Sequence, residues 1–241
     1  MLGPSAHEDT FTRDNLPPRA LWPDILLEGF PYPDHLNVAV ELTDHMVEKG
    51  FGDHVALIGN GRQRTYKELS DWTSRLAHVL VEDHGLRPGE RVLIRSANNP
   101  ALVACWLAAT KAGAVVVNTM PLLRAGELAR IVDKAQIRLA LCDTRLMDEI
   151  TECAKSSQYL RTVIGFDGTA KFDISGEGCI MVDGSGARAG DEAADVTLTA
   201  DADTFQQILQ GDLDPTAAFM QGKLAVDGDM GAAMRLASVL A

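Results

Sequence analysis

The feature that most constrains what this chain can fold into is a change of character near Thr169, made within a few residues and with no linker between its two sides. Every tryptophan (Trp22, Trp72, Trp106), every tyrosine (Tyr32, Tyr66, Tyr159) and all six histidines precede it. Beyond it the only aromatic residues are Phe172, Phe205 and Phe219. Residues 171–241 hold 4 Lys and Arg against 12 Asp and Glu, whereas residues 1–170 hold 18 against 22. Two differently composed pieces meet here. We expect one domain over 1–168 and another over 169–241, which suits a length of 241 residues.

A net charge of −12 argues against a nucleic-acid partner, because phosphate binding needs clustered Lys and Arg that no stretch supplies. It equally disfavours an anionic membrane surface. Cys105, Cys142, Cys153 and Cys179 have neither Cys-x-x-Cys pairing nor a histidine at ligand spacing, so reduced core thiols are expected. The opening residues MLGPSAHEDTFTRDN are polar and slightly acidic, unlike a basic-then-apolar signal peptide. The longest apolar run, Ala101–Ala109, is too short to span a bilayer. These features predict a cytoplasmic chain with no integral membrane segment.

In the first piece, a proline-rich start (Pro17, Pro18, Pro23, Pro31, Pro33) predicts an irregular arm with a short helix, and Val38–Lys49 reads as an amphipathic helix. His54–Ile58 and Arg62–Tyr66 flank Gly59-Asn60-Gly61, a strong hairpin signal because both central residues tolerate positive φ. A nucleotide loop is a poor reading of this lone G-x-G, since no helix opens on it. Thr65-Tyr-Lys-Glu68 is a capping box for a helix to about His84, with Leu69, Trp72, Leu76, Val79 and Leu80 on one face and Gly85 as its stop. Arg91–Arg95 reads as a buried strand, and Asn99-Pro100 opens a helix apolar nearly all round that Gly113 ends. Strand Ala114–Asn118, helix Gly126–Lys134, strand Leu139–Cys142, helix Leu146–Ala154 and strand Thr162–Phe166 follow. Alternation of strand and helix about every dozen residues means βαβ units and a mostly parallel sheet.

The segments RTYKELSDWTSRLAHVL, GLRPGERVLI and NNPALVACWLAATKAGAVVVNTMPLL together resemble the first sub-domain of adenylate-forming acid–coenzyme A ligases. The start DTFTRDNLPPRALWPDILL is similar to the benzoate and 2-aminobenzoate branch of that family. The resemblance implies a flavodoxin-like α/β layer of a larger ligase that activates a carboxylate with ATP and passes the acyl group to coenzyme A. It also implies a Ser/Thr/Gly-rich phosphate loop after this segment. The local candidate, Gly165-Phe-Asp-Gly168-Thr169-Ala-Lys171, lacks the glycine density and hydroxyl run that aim backbone N–H groups at phosphates. No catalytic or cofactor-binding residue is therefore carried over; ATP, Mg and coenzyme A would belong to a complete ligase. The matching stretches Thr65–Leu69 and Lys111–Pro121 read as a cap, a buried helix and a strand.

In the second piece Phe172–Ser175, Cys179–Val182 and Ala194–Thr199 read as strands, with Gly176–Gly178 and Asp183-Gly-Ser-Gly186 as turns. Gly184-Ser185-Gly186 is an incomplete nucleophile motif with no histidine base after it. Asp203 is expected to cap a helix carrying Phe205, Ile208 and Leu209, and Asp214-Pro215 to open the next. Lys223–Asp227 alternates as a strand, and Met230–Leu240 is a final helix. Asp227-Gly-Asp229-Met-Gly231 lacks the further acidic ligands of a calcium loop, so no metal is expected; the twelve carboxylates read as a solvated face.

KFDISGEG, ADVTL, FQQILQGDLDPTAAFMQGKLAVDGDM and AAMRLASVL resemble the sterol carrier protein type 2 family, most specifically over Pro215–Met230. The resemblance implies an α+β domain enclosing an apolar tunnel for a fatty acid, acyl-CoA, phospholipid or sterol. Phe205, Ile208, Leu209, Phe219, Met220, Leu224, Met230 and Met234 are the lining candidates, although Met and Phe at such spacing also serve as ordinary core. The resemblance implies a first helix some twenty residues before Lys171 that is missing here, and helix 145–155, with the apolar stripe Leu146, Met147, Ile150, Cys153 and Ala154, is the candidate to leave the first sheet, or be shared with it, and replace that helix.

Three readings follow: a non-catalytic fusion whose second part binds lipid; part of an AMP-forming acid–CoA ligase, inactive as it stands; or an interaction protein that self-associates through a bare ligase-like surface. Pyrophosphate release with ATP and benzoate, 2-aminobenzoate or fatty acids is expected at background, because adenylation needs fixed donors on the reacting phosphate. Sustained, acid-dependent release by the pure chain would overturn that expectation.

Overall fold

A computed structural model describes residues 5–24, 32–33, 35–59, 61–183, 186–228, 230, 233 and 236. It divides into one unit of Met1–Cys142 with Leu146–Ile164, and a second of Asp143–Arg145 with Gly165–Ala241.

The first unit begins with helices α1 (Phe11–Asp14), α2 (Val38–Leu42) and α3 (Asp44–Met46). The expected continuous helix over 38–49 breaks at Thr43, whose buried hydroxyl has a single proton to share between two acceptors, the Ala39 carbonyl at 2.7 Å and the Asp44 carboxylate at 2.8 Å. Such hydroxyl back-bonding competes with the helix ladder. Strands β1 (Val55–Gly59) and β2 (Arg62–Thr65) form the expected antiparallel hairpin, with Asn60 outside the described residues. A Cβ on Gly59 would lie 2.6 Å from the Pro100 ring, so this glycine serves close approach to the next helical layer rather than a phosphate.

Helix α4 (Tyr66–His78) starts on the capping box: the Glu68 N–H donates to Thr65 Oγ1 at 3.2 Å, and the Thr65 N–H to Glu68 Oε2 at 2.8 Å. Its buried face is Leu69, Thr73 and Ala77, followed by Leu80, which corrects the expected stripe. Trp72 and Leu76 are half-buried and Val79 is exposed. The small Thr73 and Ala77 suit a close helix pair with α5 (Pro100–Lys111), while Trp72 goes to the flank with the Arg64 guanidinium 4.4 Å from its ring.

The core of this unit is a four-stranded sheet in the order β4 (Val115–Thr119), β3 (Arg91–Arg95), β5 (Leu139–Asp143), β6 (Thr162–Phe166). Strand β3 is parallel to both neighbours, with Arg95 opposite Thr119 on one side and Cys142 on the other. Helices α6 (Ala125–Ala135) and α7 (Met147–Ser156) pack together in this core. Ile150 and Cys153 of α7 are fully buried in one cluster with Leu93, Leu128 and Val132. The helix nominated to leave the first sheet therefore stays with it, because its stripe fills the groove beside α6.

Both ends of β3 carry a buried arginine. Arg91 donates to the carbonyls of Gly89, Ala135 and Gln136, pairs with Asp9 at 2.6 Å and stacks its guanidinium 4.5 Å from the Phe11 ring. Arg95 donates to the carbonyls of Met120 at 2.9 Å, Pro121 at 2.7 Å and Leu146 at 3.4 Å.

The second unit is a five-stranded sheet in the order β11 (Ala225–Gly228), β10 (Val196–Ala200), β7 (Ala170–Ile174), β8 (Gly178–Asp183), β9 (Gly186–Ala189). Only β10 and β7 are parallel among the registered pairs; β11, β8 and β9 join antiparallel. Thr169 and Asp195 fix the parallel start: the Thr169 N–H and hydroxyl donate to Asp195 Oδ2, and the Asp195 N–H to Thr169 Oγ1. Helices α8 (Ala202–Leu209) and α9 (Pro215–Met220) complete its core with Val196, Leu198, Ile208, Ala218 and Leu224. Strand β9 was not expected from sequence, since every residue in it is exposed. Most of the expected final helix lies outside the described residues, though Met230, Ala233 and Leu236 are helical. No helix among the described residues is long and apolar enough to cross a membrane.

Replacing Arg95 by Met keeps the volume but strands the Met120, Pro121 and Leu146 carbonyls. A hydrogen bond from a charged group contributes about 1.5–3 kcal/mol, so a urea titration of Arg95→Met should show at least about 2 kcal/mol of lost stability. Wild-type stability in that variant would mean these bonds are not holding the loops.

Candidate functional site

The second unit contains an apolar cavity of about 320 Å³ between its two helices and the β10–β11 end of its sheet. Leu198 reaches it from β10, Phe205 and Ile208 from α8, Pro215, Thr216, Phe219 and Met220 from α9, Leu224 and Val226 from around β11, and Met230 and Ala233 from beyond. Caps aim the helices. The Asp201 carboxylate accepts the Thr204 N–H at 2.7 Å to start α8, and Asp214 accepts the Ala217 N–H at 2.9 Å to start α9, with Pro215 in the first turn. The cap of α8 is thus Asp201, two residues before the Asp203 expected from sequence. Phe205 is further held edge-on to Phe172, ring centroids 5.5 Å apart.

Of the eight residues nominated from sequence, Phe205, Ile208, Phe219, Met220, Leu224 and Met230 stand around this cavity. Leu209 does not. Thr204, Phe205 and Ile208 form the buried face of α8, so Leu209 falls on its trailing side and is 63% exposed. Met234 lies outside the described residues. Sequence reasoning missed Leu198, Pro215, Thr216, Val226 and Ala233. Leu198 was recoverable, because the alternation Val196, Leu198, Ala200 marks the inward face of β10. Ala233 was recoverable too, since it follows Met230 at helical spacing in the expected final helix, whereas Pro215, Thr216 and Val226 sit at a helix start and a sheet edge, where periodicity is too short to read.

The floor is buried and the rim is not: Leu198, Ile208 and Leu224 are enclosed, whereas Met220 is 80% exposed and Phe219 and Met230 are also open to solvent. Among the described residues no charged side chain lines the cavity. Such a site offers an apolar slot, with room at the lower end of the roughly 300–1,000 Å³ typical of small-molecule pockets.

Other clusters are structural. Arg145 bridges the carboxylates of Asp143 and Asp167. Burial pushes the Asp167 carboxyl above its ordinary range, with Asp143 and Asp183 adding to that rise against the pull of Arg145. Among the described residues no group of three His, Cys, Asp or Glu side chains is placed to hold a metal ion. Asp229, Gly231, Gly184 and Ser185 lie outside the described residues. The cysteines are thiols, and burial raises the pKa of Cys153 and Cys179, as befits packing rather than reactivity.

The first unit is a mainly parallel α/β sheet with flanking helices, and the second is a mixed α+β domain. The chain belongs to the AMP-binding enzyme family, whose model matches residues 45–194, and the model of the SCP-2 sterol transfer family matches residues 148–241. The two matches overlap from 148 to 194. The chain is 29% identical over 157 residues to the 3-oxocholest-4-en-26-oate–CoA ligase of Rhodococcus rhodochrous, covering 65% of this chain and 28% of that protein. It is 30% identical over 129 residues to the medium/long-chain-fatty-acid–CoA/3-oxocholest-4-en-26-oate–CoA ligase of Mycobacterium tuberculosis, covering 54% of this chain and 23% of the relative. The chain therefore spans about a quarter of the length of these relatives. Among solved structures, the anthranilate CoA ligase AuaEII shares the fold with a TM-score of 0.52 at 20% identity, over 56% of this chain and 26% of that one.

The Asp201 cap predicts a pH dependence. Hydrogen bonds from the Thr204 side chain and backbone hold this carboxyl below its ordinary value, with Lys223 adding to the effect. A group whose folded pKa is lowered stabilises fully above its unfolded value, about 3.9 for Asp, and loses that contribution as pH falls through the folded value. Amide protection of α8 should decline as pH falls below about 4, and decline less in Asp201→Asn, whose cap does not titrate. Identical profiles would remove Asp201 as the cause.

Proposed function

We propose that the second unit binds a single apolar lipid, with the tail of the ligand in the cavity between α8, α9 and the sheet and its polar end at the Met220–Met230 rim. The observation that carries this is a cavity walled by aliphatic and aromatic side chains with a buried floor and an open mouth. The match to a sterol transfer family supports it. So do relatives named for a sterol-derived acid and for medium- and long-chain fatty acids. Flexible Met220 and Met230 at the mouth suit ligands of varied shape.

A second reading is favoured by the AMP-binding match. The first unit is part of an acid–CoA ligase layer, and it contributes packing surface rather than reacting groups. On this reading the activity of the complete relatives would require the remaining three quarters of their length, and the lipid slot would act alongside it.

Displacement of a fluorescent fatty-acyl probe from the full chain tests the first reading. Phe219→Asp puts a carboxylate into the apolar wall and should weaken probe binding at least tenfold, a loss of about 1.4 kcal/mol, while the far-ultraviolet circular dichroism stays native. Unchanged affinity in that variant would place the lipid elsewhere, and absence of any binding by the native chain would end the proposal.

A further inference from the structure

Two of the residues on the open side of the cavity are methionines. Met220, the last residue of α9, is 80% exposed, and Met230, beyond β11, is 45% exposed. Both also line the cavity, so each side chain meets solvent and the apolar space at once. The other described methionines stand differently. Met181 is buried, with its Cγ so close to Gly190 that a Cβ there would lie 3.1 Å away. Met46 and Met147 are half-buried. Met120 is exposed, but it belongs to the first unit and is not among the residues that line this cavity.

We propose that Met220 and Met230 are oxidation sites that gate this cavity: a peroxide converts their thioethers to sulfoxides, and the oxidised chain releases its apolar ligand. The proposal rests on the lipid-binding reading above and adds a modification to the same site. In the step, a sulfur lone pair takes one oxygen from the peroxide. The S–O bond forms as the O–O bond breaks, the sulfur is oxidised, and hydrogen peroxide is reduced to water. Exposure decides which methionine reacts, so Met220 and Met230 are within reach of the oxidant and Met181 is not. The thiols compete poorly: Cys105, Cys142 and Cys153 are buried, and burial raises the pKa of Cys179, which keeps it in its slow, protonated form. The product is polar where the reactant was soft and apolar. A sulfoxide facing the ligand meets Phe205, Ile208 and Leu224, apolar side chains that cannot replace its hydrogen bonds to water. A sulfoxide turned to solvent keeps its water and withdraws its apolar contact from the ligand. Both outcomes weaken binding. A seated ligand, in turn, covers the two thioethers and shields them from the oxidant.

The test uses the full chain, the fluorescent fatty-acyl probe and hydrogen peroxide, with peptide mass mapping to follow each methionine and Met120 as the exposed control. In the native chain Met220 should oxidise well ahead of Met181. Probe affinity should fall at least about fivefold as the sulfoxides of Met220 and Met230 accumulate, and methionine sulfoxide reductases for both epimers should restore it. Bound probe should slow oxidation of Met220 and Met230 severalfold and leave Met120 at its free rate. That measurement needs no variant, and it decides alone should the following pair misfold. Met220→Leu with Met230→Leu keeps the volume and the apolar rim and should hold its affinity through the same peroxide treatment, whereas Met120→Leu should lose affinity as the native chain does. Undiminished affinity in a chain oxidised at both positions, or equal loss in the leucine pair, overturns the gate and leaves lipid binding intact. So does a bound probe that leaves the rate at Met220 unchanged. Absence of probe binding by the untreated chain overturns the lipid-binding reading, and this proposal with it.

Discussion

A strand that is buried along its whole length between two parallel neighbours, yet begins and ends with arginine, forces the organisation of the first unit. Neither guanidinium of β3 can reach bulk water, so each must find acceptors in the backbone around it. Arg91 gathers carbonyls before β3 and after α6 and binds the N-terminal arm through Asp9 and Phe11. Arg95 does the same at the other end with the loops after β4 and β5. Charge-assisted bonds to carbonyls are stronger than neutral ones, and here they set where four connecting segments lie. The carboxyl ends of β3 and β5 are the place where an open parallel sheet ordinarily leaves a crevice for ligand. In this chain Arg95 sits there and ties its own loops.

The second unit solves a different problem with carboxylates. It has few basic residues, so aspartates bind backbone and hydroxyl donors instead: Asp195 at the start of the parallel strand pair, Asp201 and Asp214 at the helix starts. These contacts hold α8 and α9 over the sheet at a spacing that the side chains do not fill. The cavity is what remains between them, and the acidity of the segment follows from the same caps that shape it.

Much of the architecture was legible in the sequence. The capping box at Thr65, the Asn99-Pro100 start and the apolar run at β3 name their elements because each signal is local and chemically specific. The buried face of α4 was misplaced because tertiary packing preferred Thr73 and Ala77 against a neighbouring helix over the larger Trp72. Strand β9 carries no apolar alternation at all; its place is given by pairing with β8 alone. For the cavity, residues on α8 and α9 could be nominated by composition and spacing, but Leu209 could not be excluded until Thr204 fixed which way the helix is turned. The fate of α7 was the least legible, since its stripe would serve either sheet equally well.

That helix has a temporal consequence. Residues 148–194 satisfy the patterns of two families, and α7 falls inside the overlap. A growing chain presents α7 to β3, β5 and α6 when those are already made and β10 and β11 are not. At about 5–20 residues per second, translation from Ser156 to Ala225 takes roughly 3–14 s, long compared with the folding of a small α/β layer. The first sheet therefore has α7 within reach for seconds before the second sheet exists to compete. A circular permutant that emits 165–241 first would reverse the order of arrival and turn a sequence ambiguity into a kinetic one.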